Sequence, residues 1–132
     1  MKFFNSFRQQ LYRFFTKEHR DESLQMQPML NKRAMGLMKD YGGKPNPVQG
    51  VEFFFYSDEE AKANNLAIEL NKLGYTVYDV HPPEQEGKNW SIIGCIPPVP
   101  MGGNKFDKWT EQMIQLGYEC DCQFDGWGTL IE

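Results

Sequence analysis

The sequence predicts an α+β domain: a four-stranded antiparallel sheet with two helices on one face, preceded by a helical N-terminal extension. Three observations predict it. Short β-branched and aromatic runs alternate with longer segments of helical spacing, in the order strand, helix, strand, twice over. The two helix exits are nearly the same words, Lys72-Leu73-Gly74-Tyr75 and Gln115-Leu116-Gly117-Tyr118. A stretch rich in Gly and Pro over residues 42–50 separates this repeat from what precedes it.

Residues 1–20 read as a basic amphipathic helix. Phe3, Phe7, Leu11 and Phe14 or Phe15 recur at spacings of three and four and share one face. Such a face packs on the protein itself or in a dimer, lies in a membrane interface, or fills a partner's groove. Around residues 21–28 the pattern breaks, and Pro28 marks a restart. Met29, Leu30, Arg33, Leu37, Met38 and Tyr41 then predict a second helix, which Gly42-Gly43 stops. The expected division is an extension and linker over 1–50 and a folded body over 51–132.

In the body, Val51 to Tyr56 is a strand by its β-branched and aromatic composition. Ser57 with Glu60 three residues on matches a capping box. The helix that follows carries Ala63, Leu66, Ala67, Leu70 and Leu73, ends at Gly74, and gives way to a strand over 75–80. Residues 81–88, with Pro82-Pro83, form a solvated loop. The second half runs from a strand over 89–96, through a loop over 97–104, to a helix with Phe106, Trp109, Met113, Ile114 and Leu116. Gly117 ends that helix, and the last strand covers 118–124. This βαββαβ order closes as a ferredoxin-like sandwich. Strand one is apolar on both faces, through Phe53 and Phe55 on one and Phe54 and Tyr56 on the other. A cover for the second face is therefore expected, and the N-terminal helices are nearest.

Charge divides the chain. Residues 1–50 hold nine Lys/Arg and four Asp/Glu; residues 51–132 hold five and fourteen. So acidic a body repels phosphates and favours a basic partner, which argues against direct nucleic acid binding. It also lacks the basic-Gly-aromatic run of an RNA-binding sheet. No run of about 18 apolar residues exists, and the N-terminus has neither the continuous apolar core nor the cleavage site of a secretory signal. The three cysteines, Cys95, Cys120 and Cys122, then read as reduced thiols in the cytoplasm. Cys120 and Cys122 are expected as alternate inward residues of one strand, and their spacing does not make a zinc site.

No Ser/His/Asp or Cys/His arrangement is apparent, so no enzyme, cofactor or metal is expected. Met101-Gly102-Gly103-Asn104 precedes a helix but matches no phosphate-loop fingerprint. The most distinctive stretch is Asp125-Gly126-Trp127-Gly128-Thr129. Two glycines around a tryptophan hold one large ring in a set place. That ring either plugs the core at a bulged strand end or forms a contact surface with its acidic neighbours.

Phe124-Asp125-Gly126-Trp127-Gly128-Thr129, closing a βαββαβ chain with Leu73-Gly74-Tyr75 before strand two, resembles the bacterial regulator of ribonuclease E activity B (RraB) family. The resemblance covers roughly residues 29–132. It implies an acidic, non-enzymatic protein that binds ribonuclease E through that enzyme's basic non-catalytic region and restrains RNA decay. The family has no catalytic residues to carry over. Gly74, Tyr75, Asp125, Gly126, Trp127, Gly128 and Thr129 match its motif positions, the last five as a candidate protein-binding surface. The basic, aromatic residues 1–20 depart from the acidic N-terminus of that family. Phe3, Phe7, Leu11 and Phe14 therefore stand as a candidate membrane or partner helix, and a membrane-surface adaptor is the alternative reading. A small ligand-binding domain using the Gly102-Gly103 loop is a further one.

Overall fold

A computed structural model describes residues 13–40, 48–100 and 103–129. Its elements are α1 (Lys17–Asp40), β1 (Val48–Ser57), α2 (Glu60–Lys72), β2 (Thr76–His81), β3 (Trp90–Pro100), α3 (Gly103–Cys120) and β4 (Gln123–Gly128). The strands lie in the order β2-β3-β1-β4, and every neighbouring pair is antiparallel. This is the ferredoxin-like arrangement the sequence predicts.

The core lies between the sheet and the helices. Val51, Phe53 and Phe55 of β1 are fully buried, as are Ile92 of β3, Ala63, Leu66 and Leu70 of α2, and Ile114 of α3. The alternate residues of β1 and β3, Phe54, Tyr56, Ile93 and Cys95, point to the opposite face and are buried only in part or exposed. There Tyr78 donates a hydrogen bond to Glu52. The expected cover by N-terminal helices is not what α1 provides. It joins the helix layer, where Asn31 bonds Asp107 and Thr110 of α3.

Four expectations about element ends need correction. First, residues 13–16 are not helical, and α1 begins at Lys17 and runs unbroken through Pro28. Proline removes one intrahelical hydrogen bond, but packing on α3 decides: Leu24, Gln27, Asn31, Met35 and Met38 face inward at helical spacing. Phe3, Phe7 and Leu11 lie outside the described residues. Second, β1 starts at Val48, inside the expected linker, and β3 runs to Pro100 through the expected loop. Val48 and Gln49 pair with Pro100 and Val99, whereas β2 stops pairing at Cys95. That side of β3 beyond Cys95 has no β2 partner, so prolines there break no ladder on it.

Third, Ser57 caps nothing. It is the last residue of β1, fully buried, and its hydroxyl donates to the Asp121 carbonyl at 3.2 Å. Glu59 takes the N-cap position without a side-chain capping hydrogen bond. Fourth, the two similar helix exits differ. At the end of α2, Gly74 (φ +87) takes the left-handed position; its N–H bonds Asn71 O at 3.0 Å and that of Tyr75 bonds Leu70 O at 3.2 Å. This is the predicted glycine stop. At the end of α3 the same pattern of bonds falls four residues later than the repeated words would place it. Asp121 N–H bonds Tyr118 O and Cys122 N–H bonds Gly117 O, with Asp121 itself left-handed (φ 58). Gly117 sits inside the helix for a different reason. A Cβ there would lie 2.5 Å from the Cys122 carbonyl oxygen and 3.1 Å from the Phe55 ring. The last strand accordingly starts at Gln123 rather than 118, and Cys120 and Cys122 flank a helix exit instead of alternating along a strand.

Candidate functional site

Two clusters of polar side chains tie the N-terminal segment to the sheet-and-helix body. The first surrounds Asp121. An aspartate tolerates the left-handed backbone better than most side chains, and here it sits at the C-terminal end of α3, where a helix favours cations. Its carboxylate accepts from Phe14 N–H (3.0 Å), Phe15 N–H (2.8 Å) and Lys62 Nζ (2.7 Å). Lys62 also bonds Asp58 at 2.9 Å. Partial burial alone would raise the Asp121 pKa, but Lys62 and the two backbone N–H groups outweigh it and hold the carboxyl below its ordinary value. Partial burial alone would lower Lys62; its bonds to Asp121 and Asp58 raise it instead.

Arg13 completes this strap. Its guanidinium donates to the Phe15 carbonyl at 3.1 Å and to the Tyr118 carbonyl, and stacks 3.9 Å over the Tyr118 ring. Arg20 lies over the same ring at 4.4 Å. Phe15 is fully buried and meets Tyr118 edge-on at 6.2 Å. Phe14, expected on an amphipathic helix, lies instead in this non-helical strap, partly buried against the core.

Beside the strap runs an open groove of about 990 Å³, lined by Arg13, Lys62, Ile68, Asp58, Glu59, Glu69, Glu119 and Asp121 among others. Five carboxylates face two cations there, and both cations are already ion-paired with Asp121. The groove is therefore net acidic. Of the neighbouring thiols, Cys122 is buried and Cys120 partly so. Burial, then Glu69 and Glu119, push Cys120 up to about 11. Burial pushes Cys122 up to about 12, Cys120 and Asp121 adding to the rise.

The second cluster centres on Asn31, 2% exposed. Its amide donates to Asp107 and Thr110, each at 2.9 Å. Its carbonyl accepts from Gln27 Nε2 at 2.9 Å and Trp127 Nε1 at 2.8 Å. Both donors and both acceptor positions of the amide are used, linking α1, α3 and β4.

The terminal motif lies partly on this cluster. Phe55 pairs with Phe124 and Phe54 with Gly126, so Asp125 is the extra residue of a bulge. Gly126, at φ +124, supplies the backbone that the bulge requires. Trp127 faces the helix layer, its ring 4.8 Å from Phe106 in a T-shaped contact. Asp125 is exposed at its surface yet held above its ordinary pKa by partial burial, which a hydrogen bond with Tyr56 offsets in part. Thr129 donates to the Gly50 carbonyl at 3.2 Å. Trp127 and Asp125 thus point to different sides. The sequence reading missed Arg13, Asn31, Lys62, Tyr118 and Asp121. Only Asp121 carried a signal, an aspartate between a helix and a strand, where left-handed residues occur.

The fold defines the class, a small ferredoxin-like α+β protein with an added helix in its helical layer. The sequence pattern of the family described as "Regulator of ribonuclease activity B" matches residues 30–129. Similar proteins carry the same description. One from Idiomarina loihiensis is 29% identical over 92 residues, covering 69% of this chain and 72% of that protein. One from Escherichia coli K12 is 30% identical over 99 residues, covering 73% and 70%. One from Photobacterium profundum is 28% identical over 100 residues, covering 73% of each. This chain belongs to the regulator of ribonuclease activity B family.

Proposed function

We propose that this chain is a non-catalytic regulator that restrains a ribonuclease in the cytoplasm by protein contact. Its acidic body occupies a basic segment of the enzyme, and ribonuclease E is the partner to which the family resemblance points. The observation that carries this reading is the charge of the body, fourteen Asp/Glu against five Lys/Arg over residues 51–132. Family membership supports the regulatory part of the reading. In it, Glu59, Glu69 and Glu119 around the groove meet the basic segment. Asp125 stands at the rim of the contact, and Trp127 holds together the layers that present it.

Titration calorimetry of the full chain against ribonuclease E at low and at physiological salt tests this. Affinity is expected to fall about tenfold or more as salt rises. Replacing exposed Glu59 and Glu119 by Lys is expected to weaken binding further. An affinity indifferent to salt removes the electrostatic reading, and no binding at low salt removes the partner.

A further inference from the structure

We propose that the outer face of α1 is a contact surface between two copies of this chain, paired antiparallel about a two-fold axis. The inner face of the helix is spent on α3. The outer face should then be polar, as on an ordinary surface helix. It is not. Met26 is 54% exposed, Met29 62%, Leu30 43% and Leu37 53%. Their spacings of three, four and seven put them in one stripe on the side away from Gln27, Asn31 and Met38. An exposed apolar stripe of several large residues marks an interaction surface.

The charges in the stripe point to the occupant. Glu22 and Arg33, both exposed, lie on the same side of the helix as the four apolar residues. They are separated by about 16 Å along the axis. A second α1 laid antiparallel, with the two-fold axis between Gln27 and Pro28, sets Glu22 of each copy against Arg33 of the other. Met26 then faces Met29 on either side of the axis. At this register the Met26–Met29 centre and the two Glu22–Arg33 pairs complement themselves, as a closed two-fold interface requires, while Leu30 lies level with Gln25 and Leu37 with Glu18 of the other copy. A lipid surface would find Glu22 in the contact unfavourable, since anionic headgroups select cations. Half-exposed Met and Leu side chains leave roughly 100 Å² each open, on the order of 400 Å² per copy. That is about half of what each partner buries in a standard interface. The polar flanks, Gln25 among them, would supply more. The dimer is therefore weak, with a Kd on the order of micromolar.

Sedimentation velocity of the full chain over about 1–500 µM reads this directly. The wild type is expected to pass from monomer to dimer. Glu22→Arg or Arg33→Glu alone sets like charges together at both points and is expected to weaken the dimer about ten- to a hundredfold. The double variant E22R/R33E is expected to restore it. So is an equimolar mixture of the two single variants, in which only the mixed pair is complementary. A chain that stays monomeric throughout overturns the proposal and leaves the stripe to a different protein. A dimer indifferent to both charge reversals overturns it too, since its contact then lies elsewhere.

Discussion

Asn31→Ala tests how the helical layer is held to the sheet. The substitution removes one amide and disturbs four bonds, between 2.8 and 2.9 Å, made to Asp107, Thr110, Gln27 and Trp127. Their losses are unequal. Asp107 is only partly buried, and water reaches it. Thr110 keeps its own bond to the Asp107 carbonyl at 2.9 Å. The indole N–H of Trp127 and the amide of Gln27 lose their acceptor in a place largely closed to solvent. Each buried donor left unmade costs about 1–1.5 kcal/mol at the low end of the usual range, so the two together are expected to cost about 2–3 kcal/mol. For a chain of this size that lowers Tm by roughly 10 °C. Urea unfolding followed by circular dichroism measures the loss, and the Trp127 indole N–H resonance reports whether its bond is broken. Asn31→Asp is a control. It keeps the acceptor for Trp127 and Gln27 but sets a carboxylate beside Asp107, so it is expected to be less stable at neutral pH than when protonated. A loss below about 1 kcal/mol for Asn31→Ala would mean that water replaces the amide, and would refute the view that this side chain ties α1, α3 and β4 together.

Other predictions follow from the strap and the glycines. The depressed pKa of Asp121 gives stability that is present above its unfolded value near 3.8 and is lost as pH falls through its lower folded value. Asp121→Asn keeps a residue that tolerates the left-handed backbone; its urea midpoint should fall below wild type at pH 7, with the gap closing as pH falls below the ordinary carboxylate value of 3.8. Gly117→Ala puts a methyl group against the Cys122 carbonyl and the Phe55 ring and should cost about 2 kcal/mol or more in denaturant unfolding. Gly36→Ala on α1 meets nothing within 4 Å among the described residues and should stabilise the chain by about 0.5–1 kcal/mol in the same assay.

The fold was legible because its signals are local. The run Val51 to Tyr56, the stop at Gly74 and the repeated βαβ order need only neighbours within a few residues to be read. The errors arose where a distant contact overrode a local rule. Pro28 reads as a break, yet α3 holds the helix through it. Ser57 reads as a cap, yet the Asp121 carbonyl takes its hydroxyl. Gly117 repeats the words of Gly74, yet it is a point of close approach inside a helix.

The candidate site was legible only at its end. The terminal motif was visible because two glycines around a tryptophan are unusual in themselves. Asn31, Lys62 and Arg13 look like any surface residues of a helix or an extension. Composition and periodicity by themselves determined the order of the elements, the apolar inner face of β1 and the acidity of the body, since each depends on residue type and spacing alone. Tertiary structure decided where α3 ends, which face Trp127 presents, and that Asp121 and Asn31 fasten the N-terminal segment to the body. Those outcomes depend on hydrogen-bond partners as many as 107 positions apart in the chain, a separation no local pattern can encode.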